Sequence, residues 1–336
     1  MALVTESGRQ HRAGVAPQTT WGTGAAAGDT FGLLNVDPID FPDVAHVTAQ
    51  PGYSGVRRDI QSNVAVDQNM ALPEFNVKGR AKLLELASFI YANKQSVTEG
   101  ASTPFKKTII PHDSQPDFTV NAGHFMSFCD RHATAAESLL YKDVITKSLK
   151  LSCYPGTDNG FLQLDAGMVG RGAPSAITPS GTWAPLANTF WNFGDLVRFT
   201  VNFGSGAVAL VAGGFEIESV WTHEGVGGAS GQFQTIGLGF WSGKFKLKVL
   251  KDSNWATARA NLLAKTQVTV NIAWGNATAG TVTGDLDFTI IGLLDEPIKS
   301  DKADIAYVTY PGRMLGVDAA AIPFTTIIAD GQDKGW

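Results

Sequence analysis

Apolar and polar residues alternate with a period of two over much of the chain, which is the pattern of β-strands that bury one face. The clearest case is a hairpin across 144–166, whose inward side chains are predicted to be Ile145, Leu149, Leu151, Leu162, Leu164 and Ala166. The same alternation predicts further strands with the inward residues Val197, Phe199, Val201, Phe245, Leu247, Val249, Val268, Val270, Ile272, Phe288, Ile290, Ile305 and Tyr307. The chain is therefore predicted to be mainly β.

Only two segments have the three-and-four spacing of an amphipathic helix. The first is 80–93, with an apolar stripe formed by Leu83, Leu86, Ala87, Ile90 and Tyr91. The second is 254–265, which Asp252 and Ser253 can cap and which places Trp255, Ala258 and Leu262 on one face. A few helices among many strands indicate an α+β arrangement, in which one helix covers one face of a β-sandwich or barrel unit.

Short internal matches raise the possibility of two tandem units. Asp117–Val120 resembles Asp287–Ile290, and the tripeptide Tyr154-Pro155-Gly156 recurs at Tyr310-Pro311-Gly312. Matches this short also arise by chance, so the sequence leaves a tandem and a single unit both open. The tandem interpretation divides the chain into an N-terminal arm (1–40), a first β domain (41–172), an uncharged linker (173–194), a second β domain (195–316) and a C-terminal arm (317–336).

A long alternating segment, Arg57–Asn69, has one almost wholly polar face. Its odd positions include Asp59, Gln61, Asn63 and Asp67, whereas Ile60, Val64 and Val66 occupy even positions. As a single strand it would span about 43 Å. The polar face is either the solvated outside of an antiparallel sheet or the wall of a water-filled lumen.

Composition indicates an assembling protein. The 336 residues contain 26 Lys and Arg against 31 Asp and Glu, a net charge of −5, and only 17% are charged. Ordinary domains have about 25% charged residues, so we expect much of the surface to be neutral or covered by partners. Net acidity argues against tight nucleic-acid binding. The start of the chain lacks a secretory pattern, the long uncharged stretches are interrupted by glycines, and there are two cysteines; these features predict a soluble protein of a reducing compartment without membrane insertion.

Motifs for catalysis are absent from the sequence. It contains no phosphate-binding GxxxxGK[ST], no HExxH and no GxSxG, so we expect neither an enzyme nor a cofactor. His124, Cys129 and His132 are the best metal candidates, but a fourth ligand at zinc-finger spacing is missing, which favours a buried thiol and no metal. Lys244, Lys246 and Lys248 alternate along one strand, as expected for a solvated strand face.

Three segments, taken in order, resemble a known family. They are Thr20-Trp21-Gly22-Thr23, Leu72-Pro73-Glu74-Phe75 after the long strand, and the hairpin Gly160-Phe161-Leu162-Gln163-Leu164-Asp165-Ala166-Gly167-Met168-Val169-Gly170-Arg171. Together with one amphipathic helix, they resemble the major tail tube proteins of long, flexible-tailed (siphovirus-type) bacteriophages. The resemblance covers about residues 15–175 well and the second half loosely.

The resemblance implies a structural virion protein without catalytic residues, whose β-sandwich units close into stacked rings that form a hollow tail tube. It implies trimeric rings with pseudo-sixfold symmetry for two fused units, or hexameric rings for single units. The implied partners are other copies of the chain, the tape-measure, tail terminator and tail tip proteins, and genomic double-stranded DNA that passes through without specific binding. The implied location is the virion tail, assembled in the host bacterial cytoplasm.

Within that family, Asp59, Gln61, Asn63 and Asp67 would face the lumen, where carboxylates hinder phosphates from binding. The segments Met1–Gly28, Gln95–Thr103 and Ala319–Trp336 lack strong periodicity, and we expect them to become ordered only against neighbouring rings. Other virion proteins of the capsid, decoration or sheath type share the logic of assembly. A carbohydrate-binding or hydrolytic β-sandwich that uses exposed tryptophans is the alternative outside the virion.

Overall fold

The fold is known from a computed structural model. It describes residues 12–34, 39, 41–42, 47–49, 65–67, 72–80, 94–98, 103–111, 125–132, 137–185, 190–204, 206–227, 233–250, 255–275, 284–302, 305–315 and 322–330. These residues form a mainly β structure in which 19 strands are joined by hydrogen bonds into one network, with a separate two-stranded pair. The pair consists of β3 (Val47–Ala49) and β4 (Ala65–Asp67).

The network contains three runs of neighbouring strands. The first run, in spatial order, is β5 (Glu74–Arg80), β10 (Gln163–Val169), β9 (Leu139–Cys153), β15 (Ala212–Val226), β16 (Thr235–Leu250), β20 (Ile305–Met314) and β19 (Ile298–Lys302). The second is β14 (Ala207–Ala209), β13 (Leu196–Asn202), β17 (Val268–Trp274), β18 (Leu286–Leu294), β21 (Phe324–Asp330), β7 (Phe105–Pro111) and β6 (Lys94–Thr98). All of these pairings are antiparallel.

The third run is smaller and shares β9 with the first. Its strands are β12 (Trp183–Pro185), β2 (Phe31–Leu33), β1 (Arg12–Pro17), β8 (Met126–Arg131), β9 and β11 (Ser175–Ala176). Strand β9 serves two runs because it bends at Asp143, whose φ is +55°. Residues up to Val144 pair with β8, residues from Ile145 onward pair with β10, and those from Ser148 onward also pair with β15.

The core lies between the first and second runs, which pack as two layers. Phe215 on β15 contacts Phe199 on β13, with ring centroids 6.5 Å apart, and Trp274 on β17, with centroids 5.8 Å apart. Phe203 contacts Tyr310 on β20 in the same way, at 6.4 Å. These inward aromatic side chains belong to one continuous cluster of buried residues, so the described part has the face-to-face packing of a β-sandwich.

The predicted hairpin across 144–166 is confirmed. Strands β9 and β10 pair in antiparallel register, with Leu164 opposite Leu151 and Ala166 opposite Leu149. The predicted inward residues of this hairpin are all buried: Ile145, Leu149, Leu151, Leu162, Leu164 and Ala166. The predicted strands around Phe245, Val270 and Phe288 are also confirmed, because their inward residues are buried. Period-two alternation therefore located most of the sandwich core.

The predicted helix over 254–265 is confirmed as α1 (Trp255–Ala264). Ala258 is fully buried and Leu262 is half-buried, which gives the helix its inward face. The helix ends at Lys265, whose φ of +53° stops the helical path, while the amide of Thr266 donates to the carbonyl of Asn261 at 2.8 Å. The Asn261 side chain also donates to the carbonyl of Phe203 at 2.8 Å, which attaches the helix to the second layer.

Two predicted inward positions are wrong. Val197 is 48% exposed, because the pairing of β13 with β17 shifts register between Leu196 and Arg198 and turns the Val197 side chain outward. On β20 the buried residues are Val308 and Tyr310, whereas Tyr307 is half-buried with Lys248 Nζ 4.3 Å from its ring. Both strands alternate as predicted. A bulge in β13 and a one-residue shift of the alternation in β20 place the predicted inward residues on the outward face.

The expectation that the termini and 95–103 are ordered only against neighbouring rings is wrong for several segments. Strand β1 pairs with β8 over six residues, and β21 is inserted between β18 and β7 with Ile328 and Ala329 fully buried. Strand β6, which contains Gln95, pairs with β7. Part of the predicted linker is also attached to the body, since β12 pairs with β2 and β11 with β9.

One of the internal matches behind the tandem prediction does not join equivalent positions. Tyr154-Pro155-Gly156 forms the turn after β9, where the amide of Thr157 donates to the carbonyl of Tyr154, whereas Tyr310-Pro311-Gly312 lies inside β20. A strand of the first predicted domain also pairs directly with one of the second, β9 with β15, and β7 pairs with β21 of the predicted C-terminal arm. The division into two β domains stays a prediction.

Several predictions fall outside the described residues. They concern the helix over 80–93, of which Arg80 ends β5, the tetrapeptide Asp117–Val120, and most of the long strand Arg57–Asn69. Within that strand, the backbone of Ala65–Asp67 forms β4.

Candidate assembly surface

The longest hairpin of the structure is built differently at its two ends. Near its base, β15 pairs with β9 over Phe215–Val220, and β16 pairs with β20 over Gly243–Leu250. Beyond these limits, residues 221–226 and 235–242 form ladder pairs with one another and, in the described part of the chain, with no other strand. We call this outer part, residues 221–226 with 235–242, the distal ribbon. A two-stranded ribbon is marginally stable alone, so its backbone edges are open to further pairing.

A bulge in the distal ribbon presents an aromatic side chain to solvent. Trp221 lies opposite Trp241, but the next pair is His223 with Leu238, so Gly239 and Phe240 together oppose Thr222. Phe240 is 89% exposed as a result. A bulge re-aims a side chain, and one that pushes a phenyl ring into water costs solvation free energy unless a partner covers it.

The surroundings of Phe240 carry no charge. Residues 225–243 contain none of Asp, Glu, Lys or Arg, and Val226 at the end of β15 is 48% exposed. Exposed strands are normally protected from association by charged residues, especially lysine. Apart from Glu224 on β15, the distal ribbon lacks that protection, as expected of a contact surface.

An open groove begins beside the ribbon. Its volume is about 700 Å³, and its apolar lining includes Trp241, Met314 and Leu315. Its charged lining is balanced between three cationic and three acidic residues: Lys244, Lys246, Arg313, Glu216, Glu218 and Asp295. The predicted solvated face of β16 is confirmed for Lys244 and Lys246, which are exposed, whereas Lys248 is half-buried. The groove is wide enough for an aromatic side chain and has no net charge that would select an ion.

A buried junction holds the bend of β9 in place. Asp143 is fully buried, and its carboxylate accepts hydrogen bonds from the Gln18 side chain and, at 2.7 Å, from the amide of Gly22. Gln18 Oε1 in turn accepts from the amide of Asp143 at 3.0 Å and from Ser127 Oγ at 2.9 Å. The second carboxylate oxygen lies 2.7 Å from Arg171 Nε, as an ion pair without hydrogen-bond alignment.

The same arginine reaches the tip region of the long hairpin. The carbonyl of Arg171 accepts from the amide of Phe233 at 3.2 Å, and its guanidinium lies 5.5 Å from the centre of the Trp21 ring. Trp21 Nε1 donates to the carbonyl of Gln234 at 2.9 Å. The junction therefore connects the N-terminal segment, the bend of β9 and the start of β16, and fixes where the distal ribbon points.

Burial governs the ionisation of the junction. Desolvation raises the pKa of Asp143 above its ordinary value, and the hydrogen bond from Gly22 and the charge of Arg171 offset this only in part. The sequence pattern contains a signal for this residue. Extending the inward odd positions back from Ile145 places Asp143 on the buried face, where an acid requires partners.

A second polar cluster links the ribbon to strand β5. Glu74 accepts from Lys147 and lies 2.8 Å from His223 Nε2 on the distal ribbon. Partial burial acts to raise the pKa of Glu74, but the hydrogen bonds from Lys147 and His223 outweigh it and leave the pKa below its ordinary value. The cluster therefore favours an ionised Glu74 and attaches one edge of the ribbon to the body.

The outer face of the first run has cross-strand charge pairs along its length. Lys78 on β5 pairs with Asp165 on β10 at 3.3 Å. Glu216 on β15 lies between two lysines, Lys150 on β9 at 3.5 Å and Lys246 on β16 at 3.1 Å. Opposite charges on neighbouring strands stabilise a sheet, whereas among the described residues the distal ribbon takes part in one such contact, that of His223 with Glu74.

Most of the predicted lumen residues lie outside the described residues. This is true of Asp59, Gln61 and Asn63, while for Asp67 the backbone of β4 is described and the side chain is not.

The metal candidate is not assembled among the described residues. Cys129 is fully buried on β8, where desolvation raises the pKa of its thiol to about 12, and His132 lies 3.3 Å from Asp130. His124 lies outside the described part. The ranges that the structure describes contain no group of three or more His, Cys, Asp or Glu side chains placed to bind a metal.

Tryptophan side chains do not form exposed platforms in the described part of the chain. Trp191, Trp221 and Trp274 are buried, and the other three described side chains, Trp21, Trp183 and Trp241, are half-buried. Trp183 stacks on Phe31 with ring centroids 5.2 Å apart. Carbohydrate sites present aromatic faces to solvent, so these six residues do not favour a sugar-binding function.

Comparison with known proteins gives no relative from which a function could be transferred: no family model matches the chain, and no curated protein matches it. Within the described residues, no helix is both long enough and apolar enough to cross a lipid bilayer.

Proposed function

We propose that this chain is a structural virion protein, a tail tube protein whose rings stack into a hollow tube that conducts double-stranded DNA. The proposal begins from the resemblance of three separate segments to the major tail tube proteins of long-tailed phages. It assigns the chain no catalytic role.

The observation that carries the proposal is that the three segments meet at one place. Gly22 donates to Asp143, and a side chain at its position would meet the guanidinium of Arg171. The amide of Gly170 donates to the carbonyl of Pro73 at 2.9 Å, and Phe75 pairs with Met168. Segments that are about 50 to 150 residues apart thus build one junction, as expected if the resemblance reflects a shared structural unit.

The distal ribbon supports the assembly part of the proposal. Its β16 side, which carries no charged residue, and its open backbone edges suit a subunit that completes its sheets with neighbours, since ring closure removes exposed edges. Trimeric rings with pseudo-sixfold symmetry remain our preferred stoichiometry, with hexameric rings as the alternative. We propose the tape-measure, tail terminator and tail tip proteins as further partners, and the virion tail as the location.

Electron microscopy of the purified full chain tests the proposal. We expect hollow tubes built of stacked rings. Closed shells or outer layers would instead assign the chain to the capsid, decoration or sheath class of virion protein. A stable monomer that hydrolyses or binds carbohydrate would overturn the structural function altogether.

The lumen assignment has its own test. Asp59 and Asp67 are proposed to face the DNA path, so replacing both with Lys should leave tube assembly intact and slow DNA passage, most strongly at low salt. The matched control replaces two exposed acids, Glu137 and Glu296, with Lys. Equal slowing by the control variant, or loss of assembly with normal passage in the tubes that form, would refute the lumen assignment.

A further inference from the structure

An exposed side chain, Phe240, which we call the knob, lies next to an open groove on strand β16. Phe240 is 89% exposed at the bulge, and the groove of about 700 Å³ starts at the following residue, Trp241. Phe240 does not fill the groove of its own chain, as its exposure shows. A phenyl ring is complementary in chemistry to the apolar side chains that the groove exposes, the half-buried Trp241 and Leu315, which is 45% exposed.

We propose that two copies of the free subunit pair about a two-fold axis, with Phe240 of each copy inserted into the groove of the other. This inference goes beyond the proposed function, because it describes the subunit before assembly and holds for any final architecture.

The character of the groove favours a second copy of this chain as the occupant. The three cations and three acids in its lining are balanced, so the surface attracts neither a polyanion nor a polycation. Within the chain, Glu216 already pairs with Lys246 and Asp295 with Arg313, so a segment that enters the groove needs no charge of its own. The ribbon that would enter is uncharged over 225–243 and leaves these pairs undisturbed.

The position of the knob favours a two-fold axis over head-to-tail contacts. Phe240 and the groove are adjacent on one strand, so a neighbour that covers the groove also covers the knob. A head-to-tail chain would need each subunit to offer the two features to different neighbours at nearly the same place, which leaves two neighbours to compete for the same space. An isologous contact satisfies both features in a single interface.

Such pairing has a consequence for assembly. It buries the distal ribbon, so subunits in the pair cannot use that surface for other contacts. The pair is therefore a resting form that must dissociate before any assembly through the ribbon begins.

The first experiment measures subunit association by light scattering and sedimentation over a concentration series. Below the concentration at which tubes form, the wild-type chain should reach a dimer. Phe240→Ser should raise the dimer dissociation constant at least about tenfold, as expected for a central aromatic anchor. The matched control is Leu263→Ser on α1, since Leu263 is also largely exposed, at 78%, and lies away from the groove. The control should dimerise like the wild type.

The second experiment tests the knob-and-groove contact itself. Ser242 is exposed and lines the groove, so Ser242→Trp should block the groove while leaving Phe240 intact. Each variant alone should be monomeric, because both possible contacts are lost. An equimolar mixture of Ser242→Trp with Phe240→Ser retains one intact contact and should form a weaker one-to-one dimer. Circular dichroism and thermal unfolding of each variant establish that it is folded.

Two results would overturn the inference. They are a wild type that is monomeric at all concentrations below tube formation, and a dimer that is unaffected by Phe240→Ser. These outcomes are separate from the fate of the proposed function. If the chain forms hollow tubes but its dimer is unaffected by Phe240→Ser, this inference alone is wrong. If the chain forms a Phe240-dependent dimer but never forms tubes, the tube proposal alone is wrong.

Discussion

The two hairpins β9–β10 and β15–β16 share the same period-two pattern but differ in what flanks them. After its bend, β9 lies between β10 and β15, and β10 lies between β9 and β5, so the first hairpin is paired on both sides. The second is flanked only near its base, and within the described residues its distal ribbon is paired only internally. The comparison shows that an apolar strand residue becomes core or contact surface according to its neighbouring strands.

The difference also predicts where the subunit is stable. Hydrogen bonds and apolar contacts that are shared with neighbours open only with the whole domain, while a two-stranded ribbon can open locally at lower cost. The Asp143 junction lies between the two hairpins, because it fixes the bend of β9 and, through Arg171, the start of β16. Breaking the junction should therefore affect both hairpins.

The largest expected effect comes from Asp143→Ala. The substitution leaves the Gln18 side chain, the Gly22 amide and the Arg171 guanidinium without their buried acceptor, and removing one partner of a buried ion pair typically costs about 3–5 kcal/mol. Urea denaturation should show this loss, and hydrogen exchange should show faster exchange in both hairpins. A loss below about 1 kcal/mol would mean that the junction does not hold the bend.

Truncating one apolar residue in each hairpin tests the comparison directly. Leu151 is fully buried on β9, and Leu151→Ala should cost about 2–5 kcal/mol of unfolding free energy. Phe240→Ala removes a larger side chain but an exposed one, so its effect should stay within about 0.5 kcal/mol. Urea denaturation at a concentration where the chain is monomeric measures both. Similar losses for the two variants would show that the distal ribbon packs on the body.

The sequence alone located the core of the sandwich but not its surface features. Residues such as Leu149, Leu247 and Val270 were placed correctly, because alternation in a strand is dictated by burial of one face. The exposed position of Phe240 was not predicted, although the inward positions change from even at Ile236 to odd at Phe245. Such a change of phase indicates a bulge, but it does not say which residue the bulge expels.

The junction could be predicted still less. Gln18, Asp143 and Arg171 are far apart in the chain, and no local pattern connects them. The same limit applies to the terminal strands: β21 is inserted between β18 and β7 through pairing with distant segments, so its order did not follow from its own composition. Long-range pairing, which depends on the whole fold, determined what local periodicity could not.

The pH dependence of stability sharpens the account of the junction. Because burial raises the pKa of Asp143, the folded state binds more protons than the unfolded state between the ordinary and the raised value. In that range the wild-type chain should lose stability as pH rises, by at most about 1.4 kcal/mol per pH unit. In the variant Asp143→Asn, the asparagine can adopt the positive φ but has no carboxyl group to titrate. The stability of the wild type relative to this variant should therefore fall with rising pH. A relative stability that rises with pH would show that the Arg171 ion pair dominates over burial.

The smallest expected effect distinguishes the base of the second hairpin from its distal ribbon. Glu216 lies between Lys150 and Lys246, so Glu216→Gln removes the acid from two cross-strand pairs and should cost about 0.2–1 kcal/mol for each. Glu224, opposite Gly237, forms no ion pair with any residue that the structure describes, so Glu224→Gln should be neutral. Urea denaturation in low and high salt separates charge from shape: the Glu216→Gln loss should shrink as salt screens the pairs, while the control stays unchanged. If both substitutions lower the unfolding free energy equally at low salt, the charge pairs do not distinguish the two parts of the hairpin. The base and the distal ribbon would then differ in backbone pairing alone.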